Sequence, residues 1–388
     1  MRKGCDRRLI QGHDWVFSNE IEPLASEQSP IEPGELVHVL DRRGRFLAAA
    51  LYNPHPLIAA RVVSRQPLTL IDATWFGERL RAALNLRDRI FPQPYYRWVH
   101  GEADFLPGLV VDRFGEYLAV HISTAGMDRL RQPLLAALQT FDFVRGGIVK
   151  SDEAFMALER FPVREIEVFG EVPDEVMVCE SDLEFAVNLR DGQKTGWYFD
   201  QAANRQRMTK YVGGGTMLDM FCYLGAWGIA AARSGATRVV CGDTSAIALQ
   251  SAQANARRNQ VAVEVVQGDA FDVLRQLQDG GSFHTIVLDP PALIKRKKDF
   301  DAGLQAYYQL NRLAARLLSP DGVLISCSCS HHLPTDQLIE IVHHAARSSS
   351  RRAVITEVGY QSPDHPLHPA IPESGYLKAV FCQFRHEG

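Results

Sequence analysis

A doubly wound α/β fold in the C-terminal half, preceded by a small β unit and a central α+β unit, is the architecture predicted for this chain of 388 residues. Three observations predict it. From about residue 190 onward, short apolar runs alternate with stretches at helical spacing, the pattern of a parallel sheet with helices on both faces. Residues 34–63 carry extended runs separated by turn sequences. The length, at roughly 100–200 residues per domain, asks for two or three domains.

In the N-terminal module, Leu36, Val37, Val39 and Leu40 lead into the turn sequence Asp41-Arg42-Arg43-Gly44. An extended run resumes from Phe46 to Leu51, Asn53-Pro54-His55-Pro56 breaks it, and Leu57 to Val63 begins another. The period then changes: Trp75, Phe76, Leu80, Ala83, Leu84 and Ile90 predict a helix over 74–90. Strands are predicted at 108–112 and 117–122, one helix from Met127 to Leu138, and an extended stretch from Phe143 to Val149. Residues 160–190 carry further strand signal without a clear break.

The C-terminal alternation is regular. Strands are predicted at Thr216–Met220, Thr237–Gly242, Val263–Gln267, Thr285–Leu288 and Gly322–Ser326. Helices are predicted at Gly228–Arg233, Ser245–Arg257, Phe271–Gln278 and Gln305–Leu318. No internal repeat or low-complexity tract interrupts it.

Composition narrows the function classes. Apolar residues make up 46%, ordinary for a soluble globular protein. No apolar run reaches the ~18 residues that span a bilayer. The basic N-terminus has no apolar stretch of the signal-peptide kind, so a cytoplasmic protein without a membrane partner is expected. The seven cysteines are odd in number and widely spaced, without a CxxC pair, which argues against a disulfide framework and an ordinary zinc site. The net charge of −4 gives no global reason to expect nucleic acid. Local basic clusters at Arg2/Lys3 with Arg7/Arg8, Arg257/Arg258, Lys295 to Lys298 and Arg351/Arg352 read singly as solvated faces.

Ligands of open parallel sheets bind beyond the carboxyl ends of the strands, and acids stand at three of them. Asp219 is at the exit of the first strand, Asp243 follows the second and Asp269 the third. An acid after the second strand suits a ribose diol, and one after the third an adenine amino group. Each also reads as a helix cap when taken alone. A nicotinamide enzyme is disfavoured because the first turn, Cys222-Tyr223-Leu224-Gly225-Ala226-Trp227-Gly228, lacks GxGxxG. Phe221 and Tyr223 occupy the places of the close-approach glycines. A cofactor without a pyrophosphate does not need them.

The fourth strand ends in Asp289-Pro290-Pro291, where the prolines stop the strand and fix the acid at the sheet edge. The fifth leads into Ser326-Cys327-Ser328-Cys329-Ser330-His331-His332. Alternation puts Cys327 and Cys329 on one face if the strand continues, with Cys329 nearer the ligand end. A lone cysteine is more often a small buried apolar residue. A metal reading of these cysteines and histidines is disfavoured, because close neighbours on one strand cannot surround a tetrahedral ion.

Here the residues resemble a known family over nearly the whole chain. GHDWVFSNEI, GRFLAAALYNPHPLIAARV, GEADFLPGLVVDRFGEYL, QKTGWYFDQAANR, LDMFCYLGAWGIAAARSGA, LDPPALIKRKKDF, SCSCSHHL and SPDHPLHPAIPESGYLKA are together similar to the RlmI-type 23S ribosomal RNA (cytosine-5) methyltransferases. The resemblance implies a PUA-like RNA-binding domain (1–70), a central α+β domain (71–188) and a Rossmann-like class I methyltransferase domain (189–388). It implies S-adenosylmethionine as methyl donor and 23S ribosomal RNA or a precursor as partner, with no metal and with a second copy of the chain as a further candidate partner.

By motif, Asp219, Tyr223, Gly225, Asp243, Asp269 and Asp289 would line the cofactor and base pocket, together with Phe221, Thr244 and Ala270. Cys329 would be the nucleophile and Asp289 its partner in catalysis. Lys194, Tyr198, Asp200, Arg205, Lys295, Lys297 and Lys298 would meet the substrate. Two places depart from the pattern: Ala202 stands where an Arg is usual, and Leu224 with Ala226 replaces a Thr-x-Gly. Both leave the target nucleotide open.

The expected chemistry needs these groups. Carbon 5 of cytosine is too poor a nucleophile to take a sulfonium methyl directly, and a thiolate adding to carbon 6 makes it enamine-like. The base must be unpaired or flipped into the site. Two rivals stand beside this reading: methylation of an exocyclic amine, which needs no thiol, and a catalytically inert RNA-binding protein that keeps the fold.

Overall fold

The structure, a computed structural model, describes residues 1–22 and 31–386. The chain divides into two compact units, the first made of Met1–Val178, Val187–Phe199 and Pro363–Ser374, the second of Cys179–Ala186, Asp200–Ser362 and Gly375–Gly388.

The first unit opens with a short helix, α1 (Arg7–Ile10), and the strands β1 (Trp15–Phe17), β2 (Glu35–Leu40), β3 (Phe46–Tyr52) and β4 (Ile58–Ser64). They form an antiparallel sheet in the order β1-β4-β3-β2. The predicted turn is built by Asp41, whose carboxylate accepts the backbone N–H groups of Arg43 (2.8 Å) and Arg45 (2.9 Å). Such an Asx turn gives the chain a local reason to reverse.

Next come α2 (Ala73–Ile90), β5 (Tyr95–His100), β6 (Leu109–Phe114), β7 (Tyr117–Ile122), α3 (Ala125–Arg129), α4 (Arg131–Leu138), β8 (Gly146–Ser151), α5 (Glu153–Glu159) and β9 (Glu167–Gly170). The five strands lie in the order β5-β6-β7-β8-β9, with β7 and β8 parallel. The single helix expected over 127–138 is instead two. Leu130 leaves helical geometry (φ −91°, ψ 12°), and Pro133 sits in the first turn of α4. A continuous helix would press the Pro133 ring against the carbonyl of Arg129, whereas the first turn of a new helix tolerates it. A hairpin follows, β10 (Val176–Glu180) paired with β11 (Leu183–Val187). Its two turn residues, Ser181 and Asp182, both have positive φ, the geometry that matches strand twist.

The second unit contains α6 (Ala202–Met208), β12 (Thr216–Met220), α7 (Ala226–Arg233), β13 (Arg238–Asp243), α8 (Ala246–Arg258), β14 (Glu264–Gln267), α9 (Ala270–Gln276), β15 (Phe283–Leu288), α10 (Phe300–Leu317), β16 (Leu318–Ser328), α11 (Thr335–Ser348), β17 (Arg351–Tyr360) and β18 (Lys378–His386). The sheet order is β14-β13-β12-β15-β16-β18-β17. The first five are parallel, and β18 runs antiparallel to both its neighbours. This is the doubly wound α/β sheet expected from the alternation. Its apolar interior joins Leu218, Val240, Ile286, Leu288 and Leu324 of the strands to Tyr307, Leu310 and Ala314 of α10 and Leu338, Ile341 and Val342 of α11. The strand order reverses between β12 and β15, which opens a crevice at their carboxyl ends. No helix among the described residues is long and apolar enough to cross a membrane.

Candidate active site

The crevice of the second unit gathers acids from adjacent strands. Asp219 is fully buried in β12; its Oδ2 accepts the backbone N–H of Gly228 (2.9 Å), while its Oδ1 has no hydrogen-bond partner among the described residues. Burial pushes its carboxyl up to about 7; the Gly228 N–H pulls it back and the charges of Asp289 and Asp243 add to the rise. Gly228 must be a glycine for this approach, since a Cβ there would stand 2.6 Å from the Cys241 sulfur.

The turn after β12 is strained in a specific way. Phe221 (φ 66°) and Tyr223 (φ 49°) are non-glycine residues in the left-handed region, and Gly225 (φ 81°) follows. Each non-glycine residue so placed costs about 1–3 kcal/mol and is kept only where its surroundings over-determine it. The surroundings are visible: the Phe221 and Cys222 N–H groups donate to the Gly242 carbonyl (2.8 and 3.1 Å), and the Tyr223 N–H donates to Asp243 Oδ2 (3.0 Å). Asp243 Oδ1 accepts the Ser245 N–H (3.0 Å). Ser245, not Asp243, caps α8, so the acid organises the turn and is not the helix cap. Asp269 does cap, accepting the Phe271 N–H at the start of α9 beside the buried Ala270. Thr244 is exposed between β13 and α8.

A buried acid with one oxygen unbonded, a cramped turn held by Asp243, and two further acids at successive strand ends fit the amino-acid, ribose and adenine parts of a nucleoside sulfonium. Asp219, Asp243 and Asp269 retain acceptor capacity beyond the backbone bonds described, since an ionised carboxylate offers about four lone-pair sites.

Asp289, directly after β15, receives two side-chain donors that the sequence did not reveal. Gln201 Nε2 donates to its Oδ1 (2.8 Å) and Trp227 Nε1 to its Oδ2 (3.1 Å). Burial pushes this carboxyl up to about 6. The charge of Asp200 adds to that rise, while the Trp227 and Gln201 bonds and the Arg205 charge oppose it. Gln201 is itself fixed by Asn204, whose Nδ2 donates to Gln201 Oε1 (2.8 Å). The only local hint of these groups was their presence in the matched motifs.

Cys329 is the first residue beyond β16, so the strand ends one residue short of the extension considered from alternation. Its partly exposed thiol reaches the Pro290 carbonyl (3.8 Å), next to Asp289. Buried hydroxyls pin the chain on both sides of it: Tyr307 Oη bonds Ser328 Oγ (2.9 Å) and Ser330 Oγ (3.0 Å), and Ser330 Oγ accepts the Ile294 N–H (3.1 Å). Cys327 is completely buried, and burial together with the Asp289 charge holds its thiol well above the ordinary range. A pinned, accessible thiol beside an acid of raised pKa can serve as a nucleophile with an acid at hand.

The expected substrate residues fall in both units. Lys295, Lys297 and Lys298 are exposed on the segment after Asp289-Pro290-Pro291. Arg205 is buried, with Nε and Nη2 donating to Glu180 (both 2.6 Å), which makes it a structural anchor of this unit. Asp200 Oδ2 accepts the Tyr376 hydroxyl (2.7 Å). Lys194 and Tyr198 belong to the first unit, where the Lys194 ammonium lies 5.5 Å from the Tyr198 ring centroid and the Tyr198 hydroxyl donates to Gln193 (2.8 Å). Among the described residues no three metal-ligating side chains cluster.

Comparison with known proteins agrees with this geometry. Residues 159–381 match the model of an S-adenosylmethionine-dependent methyltransferase, and residues 1–65 that of a PUA-like domain. The chain is 34% identical over 390 residues to ribosomal RNA large subunit methyltransferase I of Cronobacter sakazakii, covering 98% of each chain. It is 33% identical over 391 residues to the protein of that name from Yersinia pseudotuberculosis, covering 99% of this chain and 98% of that one. Among solved structures, the fold is shared with SMU.776, described as a methyltransferase complexed with SAH, at a TM-score of 0.82 and 19% identity over 98% of this chain and 97% of that one. A SAM-dependent methyltransferase from Streptococcus mutans gives 0.81 and 19% over 98% of both.

Proposed function

We infer the reaction from one premise: the chain belongs to the ribosomal RNA large subunit methyltransferase I family of S-adenosylmethionine-dependent methyltransferases. Its acceptor is carbon 5 of a cytosine in 23S ribosomal RNA, and its place of work is the cytoplasm. The observation that carries the cytosine-5 reading is the Cys329 thiol at the Pro290 carbonyl, 3.8 Å away, on the segment that begins with Asp289. A transfer to an exocyclic amine has no use for a thiol there.

S-adenosylmethionine, held by Asp219, Asp243, Asp269 and the Phe221–Gly225 turn with Thr244 and Ala270 beside them, supplies an electrophilic methyl group. Cys329 adds as thiolate to carbon 6 of the flipped base, and carbon 5 gains enamine character. Asp289, with a carboxyl near 6, exchanges a proton at N3 as charge builds on the ring. Once carbon 5 carries the methyl, its proton passes to solvent, the electron pair left behind re-forms the double bond between carbons 5 and 6, and the bond between sulfur and carbon 6 breaks to restore the thiolate. Gln201 and Trp227 orient the Asp289 carboxylate throughout. Lys295, Lys297 and Lys298 contact RNA phosphates; Lys194, Tyr198 and Asp200 are the further residues that the family resemblance assigns to the substrate. The division of labour follows the boundaries 1–70, 71–188 and 189–388, with RNA capture at the start of the chain and chemistry at the end.

RNA carrying 5-fluorocytidine tests the reaction, because fluorine cannot leave as the proton does. The parent protein should form an adduct that survives denaturation, and Cys329→Ala should form none. An adduct kept by Cys329→Ala and lost by Cys327→Ala moves the nucleophile two residues deeper. Methylated product at nitrogen, undiminished in Cys329→Ala, establishes the amine reading. A titration without any binding of S-adenosylmethionine points to an inert RNA-binding protein.

A further inference from the structure

A buried lysine is bonded to the residue after Cys329 and has no part in the steps above. Lys378 opens β18, directly across the sheet from Ser328 of β16. It is 7% exposed, and its ammonium donates to the Ser330 carbonyl (2.7 Å) and the Tyr376 carbonyl (2.9 Å). Ser330 is the residue after Cys329. An ammonium has three donors, and the two carbonyls use two. No carboxylate pairs with Lys378 among the described residues. A charge taken out of water without an ion pair is expensive and asks for a reason.

We propose that Lys378 is a positioning residue that favours Cys329 as a thiolate, its ammonium fixed by the carbonyls of Tyr376 and of Ser330, the residue after Cys329. The inference rests on the reading of Cys329 as nucleophile. Two carbonyl acceptors favour the charged ammonium over the neutral amine, which suits a fixed positive charge and not a general base. Burial pushes Lys378 down to about 8 and the Cys329 charge draws it back up, so each charged form supports the other.

The other groups around Cys329 do not supply this charge. Tyr307 is pushed up to about 12, chiefly by burial, and stays neutral. Cys327 is buried and neutral. Asp289 and Asp200 raise the neighbouring Cys327 thiol, so the charge they bring to this end of β16 is negative. His331, two residues along, is exposed. Ionisation releases the Cys329 proton to solvent, and the thiolate and ammonium remain as a pair.

The pH dependence of Cys329 alkylation by iodoacetamide, followed on the intact protein by peptide mass, tests the pairing without RNA or cofactor. In the parent, Cys329 should titrate below the ordinary cysteine value of about 8.5. Lys378→Met should move the profile upward by about one pH unit, slowing alkylation about tenfold near pH 7, and Lys378→Arg should restore it. A parent thiol that titrates at or above the ordinary value overturns the inference, with no variant needed. So does a Lys378→Met profile that overlays the parent's. The 5-fluorocytidine adduct separates the two ideas. If the adduct depends on Cys329 but the alkylation profile ignores Lys378, only the lysine's role falls. If Cys329→Ala still forms the adduct, the nucleophile reading falls whatever the profiles show.

Discussion

Asp243 Oδ2 accepts the backbone N–H of Tyr223 at 3.0 Å, so the acid that ends β13 also holds the strained turn that follows β12. One carboxylate thereby ties together the chain that leaves β12 and the chain that leaves β13. Its other oxygen starts the next loop through the Ser245 N–H.

Asp243→Ala removes the acid proposed to hold the ribose and frees the Tyr223 turn together. S-adenosylmethionine binding should weaken by about 1–3 kcal/mol, the range for a buried hydrogen-bonding group left unmatched. Isothermal calorimetry reads it; unchanged affinity in a folded variant removes Asp243 from the site.

Asp219 links pH to stability. Its folded value of about 7 lies above the ordinary 3.8, because burial disfavours the charged form. A raised value gives stability that is complete below about pH 4 and is lost as pH rises through 7. The loss is on the order of 4 kcal/mol, since each pH unit between the two values is worth about 1.4 kcal/mol. Asp219→Asn keeps an acceptor for Gly228 and abolishes the titration, so the urea midpoint should become flatter between pH 4 and 8. A slope identical to the parent's would falsify this assignment.

The two cysteines of β16 and its exit should separate cleanly in denaturation. Cys327 has no exposure and Cys329 is partly exposed. Cys327→Ala leaves a void and should cost on the order of 1–2 kcal/mol. Cys329→Ala should stay within about 0.5 kcal/mol while abolishing methylation. Equal losses of stability would place both side chains in the core.

Lys297→Gln with Lys298→Gln tests the RNA contact. Every lysine–phosphate pair that the substitutions remove should reduce the slope of log affinity against log salt by about 0.7 on single-stranded RNA. A slope that does not change returns these residues to a solvated face.

Arg205→Met leaves Glu180 partly buried without its bidentate partner and should cost about 3–5 kcal/mol of stability. Thermal unfolding measures it. A fully stable variant with weakened RNA binding would instead restore Arg205 to the substrate contacts.

Much of the second unit was legible because its signals are local. Alternating runs marked all five parallel strands of the sheet, and the acids at their ends fell where such sheets bind ligands. The strand predicted at 322–326 is longer at both ends, since Asp321-Gly322 turns within a paired segment and not before it. The helix predicted over 127–138 broke because one proline outweighed the apolar period. Nothing in the sequence around Arg205 announces its bidentate pairing with Glu180, 25 positions away.

Sequence by itself determined the alternation of strands and helices in the second unit and its doubly wound topology, because strand period and helix period act over a few residues, and it singled out Cys329 and Asp289 as candidates through the matched motifs. Only the tertiary structure decided what surrounds them. Gln201 meets Asp289 across 88 positions, and Lys378 meets Ser330 across 48. No periodicity reaches so far. Such pairs form when the whole sheet excludes water and leaves each buried donor or acceptor to find the partner that the fold brings beside it.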